Sequence, residues 1–210
     1  MNMTIAISTC LNAITLTLQQ HADEVAELDQ AIGDGDHLVN LQRGLTALTQ
    51  DSSSLDKMAL PEALSKIGMT LMSTMGGASG SLLGSMFVTM GKTAKNTLAD
   101  FAGLVDIYAA GVAAVKARGK ADIGEKTMLD TLIPALVSLQ ASVRSNDSLM
   151  QAMQSLQQAA EQGMLSTKDM LPTKGRASFL GERARGHIDA GARTSQLILS
   201  AIADEVIQNQ

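Results

Sequence analysis

What most constrains this chain is the spacing of its apolar residues, which return every three to four positions along most of its length. Leu41, Leu45 and Leu48 share one helical face, as do Leu104, Ile107, Gly111 and Val115, and again Ile198, Ile202 and Val206. The side chains available for the core are aliphatic. Of 210 residues 45% are hydrophobic, with 13 Met, three Phe, one Tyr and no Trp. With only three prolines, that composition favours helix over sheet. Nothing reads clearly as a strand, and no internal repeat is present. An all-α chain forming a single domain over 1–210 is therefore expected.

The apolar spacing predicts about eight amphipathic helices. They run from about Thr4 to Glu27, onward from His37, from Pro61 to about Met75, and from near Ser79 through Phe87 to about Asn96. Further helices span about Asp100 to Lys116, start between Thr127 and Asp130, span about Asn146 to Lys168, and start near Asp189. Pro61 suits a first helical position. Pro134 falls in the first turn of the sixth helix or kinks it. Asp169 to His187 is the longest stretch without periodicity, is rich in Gly, Arg and Lys, and reads as a functional loop.

Short connections favour up-and-down antiparallel neighbours, a barrel or bundle in which the even-numbered helices all start at one end. The unusual sequences precede those starts: Gly33 to Asn40, Gly76 to Gly80, Arg118 to Thr127, and Lys174 to Gly191. The opposite end carries plain linkers such as Asp51 to Lys57 and Ser145 to Ser148. Topology alone thus gathers the odd motifs on one rim.

Several functions are excluded. A net charge of −5 gives no footprint for nucleic acid. No apolar run is long enough to span a bilayer. Met1 to Cys10 lacks the basic and apolar regions of a signal peptide, so a cytoplasmic chain is expected. Cys10, alone in an apolar helical pattern, reads as a core residue. There is no phosphate loop of the Gly-x-x-x-x-Gly-Lys-Ser/Thr type and no Cys/His set spaced for zinc. An EF-hand fails because Val39 and Leu45 stand where its glycine and glutamate belong.

Asp29, Asp34 and Asp36 form the main chemical feature of the rim. Carboxylates are the natural ligands of hard cations such as Mg²⁺. Three converging ones repel unless a cation is near, and Gly33 and Gly35 loosen the backbone between them. The Gly76-Gly77-Ala78-Ser79-Gly80 segment entering a helix suits close approach of a phosphate, or is a flexible turn with Ser79 as cap. His37 has three roles open to it: phosphate contact, metal ligand or cap. Arg176 suits neutralisation of a phosphoryl group, yet Lys174, Arg183, Arg185 and Arg193 lie near it in sequence. Asp189 also fits a plain N-cap, and Met128 fits either core or a soft surface for a base.

Together these motifs resemble a known family. Gly33-Asp34-Gly35-Asp36-His37 with Asn40 and Arg43-Gly44 is similar to the signature of DhaL, the nucleotide-binding subunit of dihydroxyacetone kinase. So are Gly76 to Gly80, Gly124-Glu125-Lys126-Thr127-Met128, and Lys174-Gly175-Arg176 through Arg183. Gly186-His187 and Asp189-Ala190-Gly191-Ala192 complete the set, in the family's order and over nearly the whole chain.

The resemblance implies a barrel of eight antiparallel amphipathic helices with ADP or ATP and two Mg²⁺ at one rim. Asp29, Asp34 and Asp36 would hold the metals. His37, Leu38, Val39 and Asn40, with Ala78 and Ser79, would contact the phosphates. Gly119, Met128, Arg176, Asp189, Ala190 and Gly191 would complete the pocket, with Arg176 as the catalytic group. The implied partners are a K-type subunit that holds dihydroxyacetone through a histidine and an M-type phosphohistidine carrier that rephosphorylates ADP in place. The oligomeric state stays open, a homodimer included. Two positions depart from the family pattern. Leu38 replaces a usual glycine and threatens to crowd the phosphates, and Ala190 replaces a usual proline. Alternatives are an ATP-exchanging kinase subunit for another triose or tetrose, and a non-catalytic nucleotide-binding regulator.

Overall fold

The computed structural model describes residues 5–209. Among these, regular structure is entirely helical: α1 (Ile7–Gln20), α2 (Ala22–Ile32), α3 (His37–Gln50), α4 (Ser52–Leu55), α5 (Leu60–Thr74), α6 (Gly77–Ala94), α7 (Phe101–Gly119), α8 (Leu129–Ser145), α9 (Leu149–Ser166) and α10 (Ala190–Gln208). Two 3₁₀ segments, Thr167–Asp169 and Arg176–Ala184, lie between α9 and α10.

Among the described residues ten α-helices stand where about eight helices were expected, for two local reasons. The first expected helix divides at His21 and runs on to Ile32; its expected start at Thr4 lies outside the described residues. Hydrogen bonding continues across the break, from the His21 amide to the Thr17 carbonyl (3.2 Å) and from the Val25 amide to the His21 carbonyl (3.0 Å). The buried stripe of Leu11, Ile14, Leu18, Val25, Asp29 and Ile32 passes straight through it, so apolar spacing cannot reveal it. The second reason is α4, a single turn. The Asp51 carbonyl accepts the amides of Ser54 and Leu55, and Leu55 anchors the turn in the core.

Each long helix packs on the next, from α3 on α5 through to α9 on α10, and α1 touches both α3 and α10, so the cycle of neighbours closes. The α5–α6 contact is made by backbone. A methyl group added at Gly84 would lie 2.3 Å from Met72 Cγ and 2.9 Å from the Gly68 carbonyl oxygen. Bare positions let two helix backbones approach, and bulk on either side would separate them.

Pro134 lies beyond the first turn of α8, and the helix continues past it to Ser145. Proline has no N–H to give the carbonyl four residues back, which here belongs to Asp130. Gly163 of α9 packs against that freed oxygen, leaving no room for a side chain. The core itself is aliphatic, as composition requires. One cluster joins α1, α2, α3, α5 and α10, and another of Met86, Val112, Val115, Met128, Leu129 and Leu132 lies beneath the rim.

Candidate functional site

The starts of α3, α6, α8 and α10 and the ends of α2 and α7 meet around one recess of about 580 Å³. A volume of this order suits a small organic ligand. The odd sequence motifs therefore share one end of the molecule, as short connections predicted.

Asp29 sits on α2 one turn before its end, buried; Asp34 and Asp36 are exposed in the turn that follows. One carboxylate oxygen from each lies within 4.8 Å of the other two. The turn is shaped by glycine. A methyl group at Gly33 would fall 1.9 Å from Asp29 Oδ1, and Gly35 adopts φ +76. Asp29 Oδ2 accepts the His37 amide at 2.9 Å, tying the start of α3 to the acid cluster. Three hard oxygen donors at this spacing fit a divalent cation such as Mg²⁺.

The four helix starts differ in what they offer. At α8 the amides are already used. Asp130, fully buried, accepts from the amides of Gly124 (2.5 Å) and Thr127 (2.8 Å), and Thr127 Oγ1 accepts from Leu129 (3.2 Å). At α10 Asp189 is the N-cap, accepting the Ala192 amide at 2.8 Å, while its own amide donates to Thr167 Oγ1 at 3.1 Å. Among the described residues no hydrogen-bond partner is found for the first-turn amides of Leu38 and Val39 on α3, or of Ala78 and Ser79 on α6. Such free amides with the positive end of the helix dipole form an anion site.

His37 joins these two open starts. Thr194 Oγ1 gives its proton to the Gly191 carbonyl (3.2 Å) and so accepts from His37 Nε2–H (2.9 Å). Nδ1 is left to accept from the Ser79 hydroxyl at 3.2 Å. Burial holds the imidazole below the usual histidine range, against the opposing pull of Asp29, Asp36 and Asp34. Burial likewise pushes the Asp189 carboxyl up to about 6. The His37 ring thus bridges Ser79 on α6 and Thr194 on α10.

Asn40, Ala78, Ser79, Gly119, Met128, Arg176, Asp189, Ala190 and Gly191 all line the recess, as do the three aspartates and His37. Leu38 and Val39 do not. The Leu38 side chain is buried in the core and Val39 points to solvent, so only their amides face the helix end. Arg176 leads the second 3₁₀ segment and forms an ion pair with Asp34, Nε lying 2.5 Å from Oδ2. Among the cations sequence could not rank, it is the one on the acid cluster. Arg193 instead clasps Glu24 through two bonds of 2.8 Å, joining α10 to α2. Arg185 pairs with its neighbour Glu182 at 3.1 Å.

Two residues escaped sequence reasoning. Asp130 organises the loop before α8, and its only signal was its position three residues after Thr127, a capping spacing. Lys126 is 2% exposed with φ +59, and its ammonium donates to the carbonyls of Thr167 and His187, each at 2.5 Å. Burial lowers its pKa from the ordinary lysine value. No periodic pattern marks a lysine for burial.

Fold and site define a class: an all-helical protein that gathers three carboxylates and two open helix N-termini around one recess. Comparison with known proteins narrows that class. Residues 31–204 match the model of the DAK2 domain. The chain is 38% identical over 192 residues to the ADP-binding subunit DhaL of PEP-dependent dihydroxyacetone kinase 1 from Listeria innocua, covering 91% of each chain. It is 40% identical over 189 residues to the ADP-binding subunit DhaL of the PTS-dependent dihydroxyacetone kinase of Lactococcus lactis, covering 90% of this chain and 91% of that one. Its fold is similar to the crystal structure of the dihydroxyacetone kinase from C. freundii in complex with AMP-PNP and Mg2+, with TM-score 0.72 and 26% identity. That match covers 94% of this chain but 33% of the other, so the chain spans about a third of the larger enzyme. The chain belongs to the DAK2-domain family, among its DhaL subunits.

Proposed function

We propose that this chain is the nucleotide-binding subunit of a dihydroxyacetone kinase, a phosphotransferase that passes the γ-phosphoryl group of bound ATP to dihydroxyacetone on a separate K-type subunit. An M-type phosphohistidine carrier, charged from phosphoenolpyruvate, then restores ATP from the ADP left in the recess. The observation that carries this reading is the convergence of Asp29, Asp34 and Asp36 with the open starts of α3 and α6 on one recess. We read the closed cycle of helices as an eight-walled barrel in which α1 and α2 form one wall. Such a kinase works in the cytoplasm, where we place the chain.

The residues divide the work by chemistry. Asp29, Asp34 and Asp36 would hold Mg²⁺, and we assign two ions to them. Bound there, Mg²⁺ supplies positive charge to the phosphate oxygens. The amides of Leu38, Val39, Ala78 and Ser79 receive the phosphates, with the Ser79 hydroxyl oriented by His37. Asn40 lines the same wall, where Gly76 leaves room for its side chain. Leu82, Val115, Met128 and Leu129 form an apolar end for the base, closed by Gly119 and the Asp189-Ala190-Gly191 turn. Arg176 neutralises charge on the transferring group. Phosphoryl transfer depends chiefly on such positioning and electrostatic stabilisation. No general base is needed on this chain, because the acceptor hydroxyl belongs to the partner.

The test is phosphoryl transfer in a system reconstituted from this chain with K-type and M-type partners and phosphoenolpyruvate. Asp34→Ala should lower transfer by about a hundredfold or more while leaving the helical circular dichroism intact. Full transfer by that variant overturns the proposal.

A further inference from the structure

The loop that carries Arg176 is gathered at a narrow neck. Thr167 precedes it and His187 ends it, and the Gly186 amide donates to the Lys168 carbonyl at 2.8 Å, closing the base. A further contact at the neck would hold the two ends of the loop together. Here the contact comes from a different part of the chain. Lys126, two residues before Met128, places its ammonium between the carbonyls of Thr167 and His187. Its side chain is 2% exposed, and among the described residues no carboxylate pairs with it at ion-pair distance. Desolvating a lysine without an ion pair is costly, and a left-handed backbone on a non-glycine residue adds to the cost. The side chain is therefore committed to those two carbonyls.

A second tie lies further along the same pair of loops. The Thr173 hydroxyl donates to Glu125 Oε1 at 2.6 Å, and Lys174 Nζ lies 3.5 Å from that oxygen. Arg176 follows two residues later and reaches Asp34. Neighbouring residues of one loop thus grip the Arg176 segment twice, at its neck and in front of the arginine. The neck tie is buried and the front tie is exposed, and an exposed polar tie contributes little in water.

We propose that Lys126 is a positioning residue: by pinning the neck of the 168–187 loop against the start of α8, it sets where Arg176 stands over the carboxylate cluster. This rests on the kinase reading above for its effect on catalysis, but not for its effect on the loop. The test compares Lys126→Met and Lys126→Arg with the wild-type protein by two readouts. One is the rate of tryptic cleavage after Lys174, Arg176 and Arg183, followed by mass spectrometry. The other is phosphoryl transfer in the reconstituted system, alone and combined with Arg176→Ala.

In Lys126→Met, cleavage within the loop should be about tenfold faster, because proteolysis tracks the population of the opened form. Transfer should fall, and Lys126→Met should add little to the loss caused by Arg176→Ala, as expected of two residues acting as a unit. Lys126→Arg, which keeps the cation and its donors, should restore loop protection. Should Lys126→Met lose its helical circular dichroism, Lys126→Gln, which keeps an N–H donor, takes its place. Cleavage at the wild-type rate, or losses that multiply fully with those of Arg176→Ala, would overturn the proposal. A wild-type protein with no transfer at all would remove the kinase reading and leave the cleavage result standing.

Discussion

Leu38 follows His37 directly, and consecutive residues on an α-helix point about 100° apart. That rotation separates their roles. His37 faces Ser79 and Thr194 at the recess, while Leu38 joins Leu41, Leu45 and Leu71 in the core. The side chain that replaces a usual glycine therefore points into the core and does not line the recess. A regulatory reading built on crowding by Leu38 loses its support. Leu38→Gly should destabilise the chain by about 3–5 kcal/mol, combining lost core burial with a glycine inside a helix. Urea unfolding measures that cost. MgADP titration of the same variant should give an unchanged affinity; tighter binding would mean that the leucine does obstruct the nucleotide.

Apolar spacing located α3 and α5 to α10 within a few residues, because each buries one continuous stripe. It missed the division at His21, where the same stripe runs on, and α4, where one turn is too short to show a period. The acid cluster was legible because its carboxylates lie within eight residues of sequence, Asp29 to Asp36. The arrangement of Lys126, Thr167 and His187 was not, since it depends on contacts between distant loops. The α5–α6 seam is also tertiary in origin, and it makes a prediction about elements. Gly84→Ala should cost about 1–3 kcal/mol net even though alanine is the better helix former, because the added methyl meets Met72 and the Gly68 carbonyl. Met72→Ala in the same chain should recover part of that loss. A double-mutant cycle by chemical denaturation checks this, and strict additivity would place the strain elsewhere.

The lining of the recess comes from residues as far apart in sequence as Asp29 and Gly191, carried on α2, α3, α6, α7, α8, α10 and the loop of Arg176. No single helix could bind a nucleotide in this way, so a ligand there selects the whole folded arrangement over the unfolded chain. Ligand binding restricted to the native state stabilises it by mass action. At about one hundred times its dissociation constant, MgADP should add about 2.7 kcal/mol. For a domain of this size that raises the melting temperature by roughly 5–10 °C. The dependence on cation follows from the charges. Phosphates brought alone to Asp29, Asp34 and Asp36 would meet like charge, whereas a divalent cation held by those carboxylates would turn repulsion into attraction. ADP with EDTA should therefore shift melting far less than MgADP, and Asp34→Ala should lose most of the MgADP shift. Differential scanning calorimetry on the three samples decides the matter. Equal shifts with and without the metal would mean that the carboxylates do not hold a cation for the nucleotide, and their place at the mouth of the recess would need another reason.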